Sequence, residues 1–216
     1  MKRKKFRLSD SDKESLKAAV SRAEGKTSGE IVPFIVSSSG DYLWVHLFWA
    51  LGGGLAAWPI LWKVASSGHF AMGMAELVLG QWAGVIIGAM IPLIPWVKRM
   101  SVPAGVLNRN VHRAVMASFV GAGLTETKDR TGVLLYLSVF ERRIQILAEK
   151  GINEKMPKGY WQSHVDKIVK GIHSGRPAQV LCEVIDQIGD QLASTFPRAA
   201  DDVNELSDEV HLEPAD

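Results

Sequence analysis

The amino-acid sequence predicts an α/β fold, a mixed β-sheet flanked by helices and interrupted by a transmembrane helical hairpin. Three observations carry this expectation. Two runs, Leu43–Trp62 and Leu77–Val97, hold no Asp, Glu, Lys or Arg over 20 and 21 residues. Short apolar, β-branched stretches at 30–36, 132–139 and 143–148 have the composition of strands. Apolar residues at helical spacing precede, separate and follow those stretches.

Composition bounds the reading. The chain has 216 residues, 47% of them hydrophobic, and a single cysteine. That length suits one domain or two small ones, and that apolar content excludes a disordered chain. One cysteine excludes a disulfide scaffold and any cysteine-built zinc or iron–sulfur cage. With 25 basic and 23 acidic residues, the net charge of +2 argues against a nucleic-acid binder. The charge is unevenly spread. Lys2, Arg3, Lys4, Lys5 and Arg7 form a basic start, and residues 201–216 carry seven acids. Four segments follow: 1–42 and 98–197 as two parts of one soluble domain, 43–97 as the hairpin, and 198–216 as an acidic, flexible tail.

From the N-terminus, Ser11-Asp12-Lys13-Glu14 fits a capping box, and Leu16, Val20 and Ala23 continue at helical spacing. Thr27-Ser28-Gly29 stops that helix. Glu30–Val36 reads as a strand, with Pro33 predicting an edge position or an irregularity. A helix and one strand do not make a stable domain, so their partners must come from beyond the hairpin.

Each uncharged run is long enough, at about 1.5 Å per residue, for the roughly 30 Å core of a bilayer. Tyr42, Trp44, Trp49, Trp58, Trp62, Trp82 and Trp96 lie mostly towards the ends of the runs, as in interfacial aromatic belts. Gly52-Gly53-Gly54 would let two helices approach closely. His46 is read as snorkelling or hydrogen-bonded rather than as a haem or metal ligand. An even number of crossings keeps 1–42 and 98–216 on one side. The loop 63–76 carries only Lys63 and Glu76, whereas Lys26, Lys98, Arg99, Arg109 and Arg113 lie on the other side. The positive-inside rule then places both termini in the cytoplasm.

Beyond the hairpin, Leu107, Val111, Val115 and Phe119 predict a helix over 104–121. Gly132–Val139 is almost continuously apolar, as expected of a central strand, and 143–148 follows after a short turn as its hairpin partner. Trp161, Val165, Ile168, Val169 and Ile172 mark one helix face, and Leu181, Val184, Ile185, Ile188 and Leu192 another.

Three stretches together carry a resemblance: Glu24-Gly25-Lys26-Thr27-Ser28-Gly29-Glu30-Ile31-Val32, then Thr127-Lys128-Asp129-Arg130-Thr131-Gly132-Val133-Leu134-Leu135, then Glu141-Arg142-Arg143-Ile144-Gln145-Ile146. In this order they resemble the TPM domain, over roughly 8–38 and 104–195. The family includes thylakoid lumen proteins linked to photosystem II repair and bacterial membrane proteins often encoded beside LemA-type proteins. A hairpin inserted after the first strand looks like one bacterial subgroup. The resemblance implies a mixed sheet flanked by helices. Some members are described as acid phosphatases, and some bind divalent cations such as calcium.

Candidate sites follow. If the first two strands run parallel, as the resemblance implies, Glu30 and Asp129 meet at one end of the sheet. Two carboxylates with turn carbonyls suit a hard cation such as calcium. The other reading, which is preferred, is ion pairing of Glu30 or Asp129 with Arg130. Arg130, Arg142 and Arg143 are candidates for an interaction or a phosphate. Phosphatase chemistry needs an activated nucleophile or metal-bound water, and the sequence has no P-loop, Cys-x5-Arg signature or dense Asp/His cluster. His112, His164 and His173 are expected to be ordinary surface histidines, and Cys182 a packing residue. The expected function is a membrane-anchored, non-catalytic binding protein that supports assembly or maintenance of membrane protein complexes. No catalytic residue and no required cofactor are assigned. Lipid and a membrane protein, LemA-like or another TPM protein, are the expected partners, and nucleic acid is not one. A membrane-attached metal-dependent phosphatase and a structural subunit of a larger membrane complex are the alternatives.

Overall fold

A computed structural model describes residues 8–67, 73–125, 131–198 and 210–212. The chain divides into two compact units, residues 40–107 and the remainder on either side.

The larger unit is built on a sheet. Strands β1 (Glu30–Val36), β2 (Gly132–Ser138), β3 (Arg143–Ala148) and β4 (His211–Leu212) lie in the order β3-β2-β1-β4. β1 and β2 are parallel, with Glu30 opposite Gly132. β2 and β3 are antiparallel, with Ser138 opposite Arg143. All seven residues of β2 are buried, as its unbroken apolar run requires of a central strand.

Odd-numbered residues of β1 and β2 face one layer of helices, α1 (Asp10–Glu24), α7 (Tyr160–His173) and α8 (Pro177–Thr195). Ile31, Ile35, Val133, Leu135 and Leu137 pack there with Leu16, Val20, Ile168, Val184 and Ile188. Even-numbered residues face α5 (Ala104–Gly121) alone: Val32, Val36, Leu134 and Tyr136 meet Val111, Val115 and Phe119. The period-2 alternation of strands thus divides one apolar sequence between two layers. α6 (Lys150–Lys155) is a short helix that the sequence pattern does not announce.

Helix α1 begins earlier than expected. Ser9 is its N-cap, and Ser9 and Asp12 form the capping box: the Asp12 carboxylate accepts from the Ser9 N–H at 2.8 Å, and the Ser9 hydroxyl accepts from the Asp12 N–H at 3.2 Å. The shorter Asp side chain performs the role assigned to Glu14, two residues closer to the start.

Pro33 occupies the one kind of site a proline tolerates in a sheet. The Glu30 N–H donates to Thr131 and the Val36 carbonyl accepts from Val139, so even-numbered backbone groups of β1 face β2. Pro33 therefore turns its missing N–H to the opposite edge. On that edge the Ile31 N–H donates to the Glu24 carboxylate at 3.0 Å, and β4 pairs with Phe34 and Ile35. His211 also stacks on Phe34, with ring centroids 4.3 Å apart. The acidic stretch after residue 197, expected to be flexible throughout, thus contributes a short strand. Residues 199–209 and 213–216 lie outside the described residues.

In the second unit, α2 (Leu43–Ser66) and α3 (Met74–Met90) pack side by side. The second uncharged run is not one helix to its end. It breaks into a 3-10 turn at Ile91–Leu93 and restarts as α4 (Pro95–Ser101). Pro92 and Pro95 supply no N–H to the preceding carbonyls, which is why α3 cannot continue. Both α2 and the stretch Met74–Leu93 are long and apolar enough to span a membrane, and only 11% and 6% of their apolar windows is buried. Two helices serving as the core of a soluble protein would instead be covered.

Candidate functional site

The candidate site residues fall at opposite ends of the sheet. Glu30 begins β1, is 8% exposed, and lies opposite Gly132. The parallel pairing expected of these strands is present. Asp129 and Arg130, which would complete this end, lie outside the described residues. Around Glu30 the chain is tied down: Thr131 Oγ1 donates to the Ser28 carbonyl at 2.8 Å, and Thr27 Oγ1 donates to that of Phe196 at 2.6 Å. A Cβ on Gly29 would reach Leu192 at 3.0 Å, so this close crossing of the loop over α8 favours glycine. Among the described residues, no group of three His, Cys, Asp or Glu side chains is arranged to hold a metal.

Arg142 and Arg143 sit at the far end, in the β2–β3 turn. A seven-residue strand at about 3.3 Å per residue puts them roughly 20 Å from Glu30. Arg142 is exposed and has a positive φ of 53°. The Arg143 Nε donates to Asn108 Oδ1 of α5 at 2.9 Å. The two arginines and Glu30 are not parts of one site.

Beside that turn lies a polar cluster whose roles the sequence did not reveal. Glu141 is fully buried. Its carboxylate accepts from the Ser39 N–H at 2.8 Å, from the Ser38 hydroxyl at 3.3 Å and from the Ser138 hydroxyl. The Ser39 and Tyr136 hydroxyls are 3.1 Å apart. The cluster clamps the end of β1 to the end of β2, where the chain leaves the larger unit. The sequence signal was a Ser and a Glu three residues apart across a turn between apolar strands.

One histidine departs from expectation. His112 and His173 are exposed, but His164 is buried. Its ring meets Tyr160 edge-on at 4.6 Å, and its Nε2 has no hydrogen-bond partner. Burial, reinforced by nearby Lys167, holds its pKa below the ordinary histidine value. Burial likewise pushes the Tyr160 phenol up to about 12, with Asp190 adding to the effect. Cys182 is half-buried, and burial raises its thiol pKa, consistent with a packing role.

The exposed edge of β3 borders a groove of about 320 Å³. Ile144, Ile146 and Leu147 form its floor, His112 and Met116 of α5 one wall, and Trp161 of α7 the other.

The second unit contributes an interlocked helix pair. Gly53 of α2 lies so close to Gly84 and Gly88 of α3 that a Cβ on any of the three would collide with backbone atoms of the other helix. Gln81 Nε2 donates to the Gly54 carbonyl at 2.7 Å, and Trp49 Nε1 donates to Ser101 Oγ at 2.9 Å. His46 Nδ1 lies 3.0 Å from the Ala89 carbonyl, hydrogen-bonded across the pair as the Nδ1–H tautomer. Small residues at the seam and polar side chains across it are the features by which helices associate in lipid.

Residues 110–191 match the TPM domain family. Over that segment the chain is similar to a TPM domain. The match takes in β2, β3, α6 and α7 with most of α5 and α8, and the hairpin lies outside it. The NMR structure of BA42 protein from the psychrophilic bacterium Bizionia argentinensis is similar over 99% of this chain and 100% of its own, with a TM-score of 0.58 and 19% identity. At that identity the likeness shows the fold. No curated protein matches the chain. The mixed sheet flanked by helices that the sequence predicts is present and agrees with that fold.

Proposed function

We propose that this chain is a membrane-anchored binding protein whose TPM domain supports the assembly or maintenance of membrane protein complexes. The observation that carries the proposal is the apolar exterior of the helix pair. Leu47, Phe48, Leu51, Leu55, Trp58 and Leu79 are each at least 60% exposed, while the seam between the helices is closed by glycines. Exposed apolar side chains on that scale are stable in hydrocarbon and a liability in water. The excess of Lys and Arg outside the 63–76 loop supports insertion in a bacterial inner membrane with both termini in the cytoplasm. An anchored domain meets membrane partners at a raised effective concentration, which suits a binding role. A LemA-like protein or another TPM protein is the partner this reading favours.

The test uses the intact chain. It is expected to stay with the membrane pellet after a carbonate wash. With Cys182 replaced by Ser, a Ser67→Cys variant is expected to react with an impermeant maleimide in whole cells. Reaction only after lysis would reverse the orientation, and recovery in a detergent-free supernatant would remove the anchor. Purification in mild detergent is expected to bring a membrane protein partner along in a transient complex. A stoichiometric, permanent complex would instead make the chain a structural subunit. Metal-dependent turnover of a phosphomonoester, lost in Asp129→Asn, would replace binding with phosphatase chemistry.

A further inference from the structure

We propose that the open edge of β3 is a docking slot for an extended, acidic segment of a partner protein, which adds to the sheet as a further strand. The proposal rests on the binding role above and names the surface and the chemistry by which it acts.

The edge is defined by hydrogen-bond parity. The Glu149 N–H donates to the Gly132 carbonyl, so the odd-numbered backbone groups at this end and along β3 face β2. The even-numbered groups of Ile144, Ile146 and Ala148 therefore face outwards. At Ala148 the edge is closed: Asn153 Nδ2 donates to its carbonyl at 2.6 Å, and Trp161 Nε1 donates to Asn153 Oδ1 at 2.8 Å. Among the described residues, nothing pairs with the outward N–H and C=O groups of Ile144 and Ile146. An unpaired edge is the template for strand addition, in which backbone hydrogen bonds supply affinity and flanking pockets supply specificity. The groove supplies those pockets, apolar at Met116 and Trp161, with Met116 itself 45% exposed.

Charge selects the occupant. The Arg143–Asn108 hydrogen bond ties the start of β3 to α5 at the residue preceding Arg109, so the basic residues of α5 and of the β2–β3 turn are carried on elements that meet at this end. Arg109, Arg113 and Arg142 are exposed, and no ion pair is formed by any of the three among the described residues. Against them stands Asp166 on α7, whose carboxylate accepts from Gln162. The rim is net basic and suits a strand with carboxylates between apolar residues. Natural sheets guard such edges with charge. Here the flanking arginines would also attract an acidic partner.

The test uses the full chain in a neutral detergent and two ten-residue probe peptides, one alternating Glu and Val, the other Lys and Val. The Glu peptide is expected to bind saturably, at least tenfold tighter than the Lys peptide, with affinity falling as salt is raised. Ile146→Pro removes an N–H that the β2 ladder does not use and is expected to weaken binding at least tenfold. Arg109→Glu combined with Arg142→Glu alters only exposed side chains and is expected to reverse the preference for Glu over Lys. Equal binding of both peptides, no saturable binding, or binding unchanged in Ile146→Pro with the fold intact would overturn the slot. So would binding of a peptide of residues 199–216 in place of the alternating peptide, which would assign the edge to a second copy. Membrane association and partner co-purification do not depend on these results, so the slot and the broader binding role fail separately.

Discussion

In the larger unit the large apolar side chains are the ones hidden: Leu16, Leu135, Ile185 and Leu192 have no exposed surface. In the helix pair the order is inverted. Glycines 53, 84 and 88 fill the seam, and Leu51, Trp58 and Ile87 point outwards at 60% exposure or more. Under the proposed membrane anchorage, the two regions answer to different solvents. Burying a leucine away from water stabilises a fold by about 1.5–3 kcal/mol, so the domain puts leucine inside. Between helices in hydrocarbon that gain disappears, and close approach of backbones decides what packs.

The largest expected effect contrasts two isoleucines. Ile185 is fully buried, and Ile185→Ala should cost the domain about 2–5 kcal/mol, read by urea denaturation in detergent. Ile60 is 63% exposed, and Ile60→Ala should leave that transition within about 0.5 kcal/mol. Equal losses would mean that Ile60 is packed in a core rather than facing outwards. Next in size is a charge on the outer face. Leu51 is 64% exposed near the middle of α2, and Leu51→Asp should raise the cost of membrane insertion by about 3–4 kcal/mol. A glycosylation-mapped insertion assay measures it. An unchanged inserted fraction would contradict a lipid-facing Leu51.

The seam gives a smaller contrast. A Cβ at Gly88 would overlap the Trp49 carbonyl, whereas one at Gly52 meets nothing within 4 Å. Gly88→Ala should weaken the helix pair by about 1–3 kcal/mol through overpacking. Gly52→Ala should be neutral or favour the helix by up to about 1 kcal/mol. Steric trapping or intramolecular cross-linking of α2 to α3 would show the difference, and equivalent behaviour would undo the assigned seam.

The same contrast explains what the sequence disclosed. Strands β1, β2 and β3 are legible because β-branched runs at 30–36, 132–139 and 143–148 contain their own stop signals. The long helices α2 and α3 are legible because apolar runs of 20 and 21 residues exceed the length of any ordinary strand. Partnership across the sheet is not written locally. Nothing in Glu30, Arg142 or Arg143 tells that β2 holds them at opposite ends, nor that β3 is left with an open edge. Both facts come from strand order. The face of α7 was misjudged for a physical reason. Trp161, Val165, Ile168, Val169 and Ile172 form the greasiest stripe, yet Val169 is 39% exposed and the buried line runs through His164, Ile168 and Gly171. Gly171 allows Val180 of α8 to close on the helix, and a glycine leaves no apolar mark in a hydrophobic pattern.

That rotated face sets the smallest expected effect. His164 has a folded pKa below the value near 6.5 of an unfolded histidine, because burial disfavours the imidazolium. Between the two values the unfolded chain binds more protons, so stability must rise with pH there. Its contribution is fully present above about pH 6.5 and is lost as pH falls through the folded value. Urea denaturation at pH 7.5 and pH 5 should show a weaker domain at the lower pH. His164→Gln, which does not titrate, should flatten that difference while carboxylates add their own slope only lower down. A pH difference retained in full by His164→Gln would locate its source elsewhere in the domain.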